Sequence, residues 1–296
     1  MDIRQAITDQ IIELMEKGGP AWSQSWSNAA LAGAPANART GARYNGINVL
    51  LLLSAAARSG YTSNKWLTFK QAADLGAKVR KGEKAVMCCY FEMVKKKGVA
   101  TESGDDEAGF FPLCKPFWLF NVAQIEDLPQ AIVDAIAPPV VREFTAIETA
   151  ERVAMASGAV IRHGGDRAFF HPLTDRVQMP EREEFISPAN YYATLMHELT
   201  HWTGGEARLH RVFGKRFGDS AYAFEELVAE LGASFVMGHL GLAEATLEGH
   251  AAYLDSWLKV LKADKTAVFT AAKHAGQAYE FLMTRAGMLE AKAAEQ

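Results

Sequence analysis

Ile3, Ile7, Ile11, Leu14 and Met15 recur at helical spacing and Gly18-Gly19-Pro20 closes the run, a pattern that predicts an amphipathic helix. A polar, small-residue loop from Ser23 to Thr40 follows, then an almost wholly apolar helix from Gly46 to Ala57. Thr68 to Leu75 reads as a short helix and Lys81-Gly82-Glu83 as a turn. Ala85–Val94 and Phe110–Phe120 read as strands of one hairpin. The charged segment between them, with Lys95-Lys96-Lys97 and Asp105-Asp106-Glu107, reads as an exposed loop. Pro129 to Pro139 is the best boundary. Beyond it come a helix over 144–157 and two short strands, 159–162 and 168–170, joined as a hairpin through Gly164-Gly165-Asp166. From Ser187 onward the pattern is almost entirely helical. The fold class is therefore α+β: a mixed α/β unit over 1–130, a linker over 131–139, and a mostly helical unit with a small sheet over 140–296.

Composition bounds the function classes. The chain has 296 residues, 49% hydrophobic and 22% charged, which suits a globular protein with a sizeable core. It has three cysteines, two of them adjacent (Cys88, Cys89), which form no disulfide framework and suit a reducing compartment. Asp2, Asp9, Glu13 and Glu16 speak against a secretory leader. The longest apolar run, Val49 to Ala57, is far too short to cross a bilayer. A cytoplasmic protein with no membrane partner is expected. Neither a Walker-type loop nor a dinucleotide glycine fingerprint is present, so nucleotide hydrolysis and NAD chemistry have no support.

The net charge of −4 conceals an asymmetry. Residues 17–100 carry thirteen lysines and arginines against three acids, a net of +10, whereas residues 138–296 carry a net of −5. The cationic stretch also holds Trp22, Trp26, Tyr44, Tyr61, Trp66, Phe69, Tyr90 and Phe91. Cations that neutralise phosphates, interleaved with aromatics that stack on unpaired bases, are the ingredients of a single-strand groove. Stacking aromatics and packing aromatics look alike in sequence, so a core origin for these rings stays open.

The chemistry concentrates in His197-Glu198-Leu199-Thr200-His201, an HExxH that composition alone yields about 0.02 times in such a chain. Ser187 is a natural N-cap, Pro188 fits the first helical position, and Gly204-Gly205 can end the helix. His197 and His201 then share one face and can bind one Zn²⁺, or another divalent ion such as Mn²⁺. Glu198 is the candidate catalytic base. A third ligand is expected from a second helix, roughly Ala221 to Leu240. Glu226 is the favoured ligand and Glu230 the supporting carboxylate, with the reverse assignment left open by spacing alone. A metal site that is structural, or that has lost its activity, stays open as well.

Several runs carry a family resemblance: Trp22…Trp26, Asn37…Thr40, Tyr44-Asn45-Gly46-Ile47-Asn48, Trp66-Leu67-Thr68-Phe69-Lys70-Gln71 and Val79-Arg80-Lys81-Gly82-Glu83-Lys84. With Phe120-Asn121-Val122, the HELTHWTG segment and the EELVAELGA segment, they resemble the ArdC antirestriction family. The front part also resembles the N-terminal module of the conjugative primase TraC. The resemblance implies a plasmid protein that protects incoming conjugative DNA from host restriction, with an N-terminal domain for single-stranded DNA and a zincin-like metallopeptidase domain of the gluzincin type. The residues expected on the strand-binding face are Trp22, Trp26, Arg39, Arg43, Tyr44, Asn48, Lys65, Trp66, Lys70, Arg80, Lys81 and Lys84. Two alternatives compete with largely sequence-independent strand protection. One is a site-specific zinc endopeptidase acting on a host protein, with DNA used only for localisation. The other is an inert metal-loaded scaffold for a partner such as a restriction-system subunit.

Overall fold

A computed structural model of the chain describes residues 2–18, 34–95, 110–136, 143–185, 187–213, 220–242 and 250–290. Trp22 and Trp26, and most of the charged loop expected between the long strands, lie outside these residues.

The front half runs α1 (Ile3–Gly18), β1 (Ala36–Asn37), α2 (Ile47–Ser59), β2 (Lys65–Leu67), α3 (Phe69–Asp74), β3 (Lys78–Val79), β4 (Val86–Lys95), β5 (Phe110–Asn121), β6 (Ile125–Glu126) and α4 (Gln130–Ile136). Its sheet has the order β1-β2-β5-β4, and β3 pairs with β6 as a separate ladder. The β4–β5 hairpin is antiparallel over ten pairs, from Val86 opposite Leu119 to Lys95 opposite Phe110. Local chemistry explains the turns between these elements. Thr68 and Gln71 form a reciprocal capping box at the start of α3. Gly60 stops α2 in a left-handed conformation, φ 66°, donating to Ala56 and Ala57 carbonyls.

The rear half runs α5 (Glu143–Ser157), β7 (Val160–His163), β8 (Phe169–His171), β9 (Arg176–Met179), α6 (Pro188–Thr203), α7 (Ser220–Leu240), α8 (His250–Ala263) and α9 (Ala267–Arg285). The expected hairpin between the first two strands is corrected here. β9 lies between them, parallel to β7 and antiparallel to β8. Val177 and Met179 are the buried positions of β9, and burying them under α6 requires the central place. With one strand missing from the sequence reading, the other two paired by default.

Most of the segment expected as a linker carries α4. The two halves are moreover not closed bodies. Ile7, Ile11 and Met15 of α1 and Leu50–Leu53 of α2 belong to one apolar cluster with Leu227 and Leu231 of α7, Trp257 and Leu261 of α8, and Ala271 and Ala275 of α9. Polar contacts follow the same seam: Thr8 donates from its buried hydroxyl to the Lys265 carbonyl at 2.7 Å, and Lys262 pairs with Glu16 at 2.6 Å. A second cluster around α5, α6 and β9 belongs to the rear half alone.

A shared core makes the halves unfold together. Trp257, 1% exposed, lies in that core, and Trp257→Ala should cost about 3–5 kcal/mol. Scanning calorimetry is expected to show one transition that shifts as a whole. Two transitions, only one of them shifted, would show that the halves are independent.

Candidate metal centre and nucleic-acid face

α6 begins as its sequence dictates: the Ser187 hydroxyl accepts from the Asn190 amide at 3.2 Å, and Pro188 sits in the first turn. Tyr191, Leu195 and Leu199 are buried in the rear core, which turns His197 and His201 towards α7. The two imidazole centroids are 4.9 Å apart. α7 comes close because residue 232 is glycine. A Cβ there would meet the Thr200 methyl at 2.6 Å, well inside contact distance. That approach places Glu226 on the Nε2 side of both rings. Its Oε2 is 3.4 Å from His197 Nε2 and its Oε1 3.5 Å from His201 Nε2. One ligand atom from each of His197, His201 and Glu226 can be chosen so that all three lie within 4.8 Å of one another.

Glu230 stands on the other side, its Oε2 3.9 Å from His197 Nδ1, while Glu225 faces His201 Nδ1 at 3.3 Å. Glu225 escaped the sequence reading, as did the residue that holds it. The Arg211 guanidinium bonds Glu225 at 2.8 Å, the Thr200 carbonyl at 2.6 Å and the Thr203 hydroxyl at 3.0 Å. Nothing in the spacing of 201, 211 and 225 announces this contact. The signal that could have found it is the Gly204-Gly205 pair. Gly204 ends α6 with ordinary φ and ψ of −75° and −7°, so its freedom of rotation is not needed. Its missing Cβ is needed, because one would lie 2.8 Å from Arg211 Nη2 and 2.8 Å from the Phe213 ring. At Gly205 a Cβ would lie 2.0 Å from Arg208 Nη2. Arg208 lies over the Trp202 ring at 4.0 Å and pairs with Asp175.

The electrostatics of the cluster follow from burial and facing charges. Burial works against charging His201, but its hydrogen bonds to the Glu225 and Glu226 carboxylates outweigh it and lift its pKa to about 10. His197 is raised in the same way, burial being offset chiefly by Glu226. Burial would raise Glu226, yet the two histidines hold it well below the ordinary carboxylate range. Two imidazole rings side by side around one carboxylate, with His197 Nδ1 lacking a hydrogen-bond partner, form a donor set of two nitrogens and one oxygen that fits a dication. Glu198, 7% exposed, is raised by burial, partly offset by the histidines and by a backbone hydrogen bond from Phe170 of β8.

The front-face expectations divide. Trp66 is fully buried with its ring edge-on to Tyr61, so the expectation that it stacks on bases is corrected: it is core. Asn48 is likewise turned inward, its side chain clamping the Cys89 backbone at 2.8 and 3.0 Å. Tyr44 is half-buried against Phe117, and Lys65 is partly covered. Arg80 bonds Glu83 and the Ala123 carbonyl. Arg39 pairs with Asp74 at 3.6 Å, both half-exposed, and Arg43 donates to the Tyr279 hydroxyl at 3.1 Å. Lys70, Lys81 and Lys84 are exposed. Trp118, 52% exposed, is the aromatic that the sequence reading missed, because it lies outside the most cationic stretch. Phe69 is 64% exposed, and its ring meets Phe120 edge-on at 6.4 Å. Trp118 and Phe120 are two residues apart on β5, so all three rings share one side of the sheet.

Arg211→Ala would leave Glu225 buried without its guanidinium. The expected loss is about 3–5 kcal/mol in denaturant unfolding, with Arg211→Lys intermediate. An unchanged midpoint in the alanine variant would show that Glu225 is not held by this pair.

Comparison with known proteins accords with this geometry. The family profile for the N-terminal domain of anti-restriction factor ArdC matches residues 1–120, and that for a zincin-like metallopeptidase matches residues 148–274. An uncharacterised protein of Sinorhizobium fredii, y4eC, is 36% identical over 95% of this chain and 91% of its own length. The DNA primase TraC of Escherichia coli is 36% identical over 94% of this chain, but the chain spans only 20% of that primase. The crystal structure of metal-free antirestriction protein ArdC from plasmid R388 matches with a TM-score of 0.78 at 37% identity, covering 98% of this chain and all of that one. The Mn(II)-bound structure of the R388 protein matches at 0.77 and 37%, covering both chains completely. The chain belongs to the ArdC antirestriction family.

Proposed function

We propose that this protein binds single-stranded DNA on its front face, largely without sequence preference, and so shields conjugative DNA entering a cell from restriction. The observation that carries the reading is the pair of exposed rings Phe69 and Trp118, bridged by the partly buried Phe120 on one side of β5, in a half that also presents Lys70, Lys81 and Lys84. Each stacked base contributes about 1–3 kcal/mol, and each phosphate neutralised adds salt dependence.

The rear half is proposed to hold one divalent ion, zinc first and manganese second, through His197, His201 and Glu226. Glu225 and Glu230 would orient the two rings from behind. The Mn(II)-bound relative supports a divalent ion, and the zincin-like match supports this donor set. Such an ion, when bound, supplies a Lewis acid that polarises a carbonyl and acidifies water. Glu198, buried beside the cluster, would accept and return a proton in this reading. β8 is the outer strand of its sheet and touches Glu198 through the Phe170 amide, so an extended peptide could pair along it. That contact favours the second reading, a zinc endopeptidase acting on a host protein. Changing Glu198 to Gln separates the two: strand protection survives the substitution in the first reading and is lost in the second.

Affinity for a short unpaired oligonucleotide is expected to fall steeply between low and high salt, and Trp118→Ala should weaken it roughly tenfold. A salt-independent signal, or an unaffected alanine variant, would remove the front-face reading.

Metal loading should release protons. His201 is raised to about 10, so at pH 7.5 it carries a proton that coordination must displace, and His197 is shifted in the same direction. Calorimetric titration of zinc in buffers of different ionisation heat should count at least one proton per ion, with affinity falling as pH falls. Tight binding with no proton release would place the ion elsewhere.

A further inference from the structure

A cavity of about 310 Å³ lies where the two halves meet, at the lower end of the range of roughly 300–1,000 Å³ for small-molecule pockets. Val49 and Leu53 of α2, Phe235 of α7 and Leu289 give it apolar walls, and Tyr44 adds a ring. Polar groups stand at defined places among them. Ser234 of α7, 8% exposed, lines the cavity. Gly46 begins α2 without a side chain to cap it. Arg43 donates to the Tyr279 oxygen at 3.1 Å, and that hydroxyl lies 2.7 Å from His239 Nδ1. Burial and the neighbouring Arg43 push His239 down to about 4, so the ring is neutral and offers one donor and one acceptor nitrogen. Glu280 and Glu290 line the same cavity, so with Arg43 its formal charge is −1. This is no phosphate trap. Apolar walls, an aromatic face and a mixture of donors and carboxylate acceptors match a planar heteroaromatic ring with polar edges.

The cavity also adjoins the proposed strand path. Asn37 of β1 donates to Gln71 of α3 at 3.0 Å and lies 3.5 Å from the Tyr44 hydroxyl, linking the Phe69 end of the sheet to the cavity wall. Lys70, Arg39 and Arg43 are exposed, and Arg43 lines the cavity itself. We propose that the cavity takes one unstacked nucleobase of the bound strand, its phosphate remaining at the mouth beside Arg43; this deepens the single-strand reading and rests on it. Extracted bases are read in this way in other nucleic-acid proteins, by stacking between apolar or aromatic walls and by hydrogen bonds to the base edge. The walls come from α2, α7 and α9, so the base would seat against the helix that also carries Glu225, Glu226 and Glu230.

The test uses the full chain and mononucleotides. 8-Azidoadenosine 5′-monophosphate should photolabel peptides containing Tyr44, Phe235 or Tyr279, and excess dAMP should suppress the labelling while inorganic phosphate should not. Ser234→Leu fills the cavity and should weaken dAMP binding at least tenfold. Gly276→Ala, whose new methyl would stand 3.9 Å from the Gly46 amide in ordinary contact, provides a second and milder variant that should weaken it measurably. Labelling elsewhere, equal competition by phosphate, or dAMP affinity unchanged in Gly276→Ala overturns the proposal. Failure of the strand reading shows separately: an oligonucleotide that does not bind removes it whatever dAMP does, while an oligonucleotide that binds without dAMP labelling removes the pocket alone.

Discussion

The close approach of α6 and α7 at Thr200 and Gly232 governs the rest of the rear half. A methyl group at 232 would force the helices apart by more than a side-chain adjustment can absorb, because Thr200 is itself buried and bonded to the Met196 carbonyl. The histidines stand on the α6 side of this contact and three glutamates on the α7 side. Their distances of 3.3–3.9 Å are therefore a property of the helix pair rather than of any loop. A binding site built on packed helices keeps its geometry better than one built on connecting segments.

Burial makes the cluster electrically demanding. Glutamates this deep are costly unless something positive faces them, and the two imidazoles and Arg211 provide it. Arg211 does more than balance charge. It also satisfies the Thr200 carbonyl and the Thr203 hydroxyl near the end of α6, so it ties the helix terminus to the support of His201. The two glycines after α6 leave room for this arginine and for Arg208, and a chain reversal is only part of their purpose.

The sequence was legible where one element carries its own signal. Helical spacing located α1, α2 and the rear helices, and the capping residues located the start of α6. That the HExxH histidines share one face was readable because helical periodicity converts spacing into direction, whereas spacing alone left Glu226 and Glu230 undivided. Legibility failed where direction depends on a partner. Trp66 and Trp118 have the same ring, yet one is core and the other surface, according to what covers each side of the sheet. β9 has four residues and only two buried positions, too little alternation to stand out. Glu225 and Arg211 meet only after α6 has ended and α7 has turned back beside it. The shared core was hidden for the same reason: a stripe on α1 says that something covers it, not that the cover lies some 250 residues away.

That last feature bears on how the chain is made. α1 is synthesised long before α8, and its apolar face cannot be sealed until α8 and α9 have left the ribosome tunnel. Ile7, Ile11 and Met15 therefore wait in solvent, or under a chaperone, while most of the polypeptide is translated. Contacts of such long range slow the final closure and lengthen the aggregation-prone interval. An expression host with slow elongation or scarce chaperones would lose soluble yield at this step, although the finished protein is well sealed.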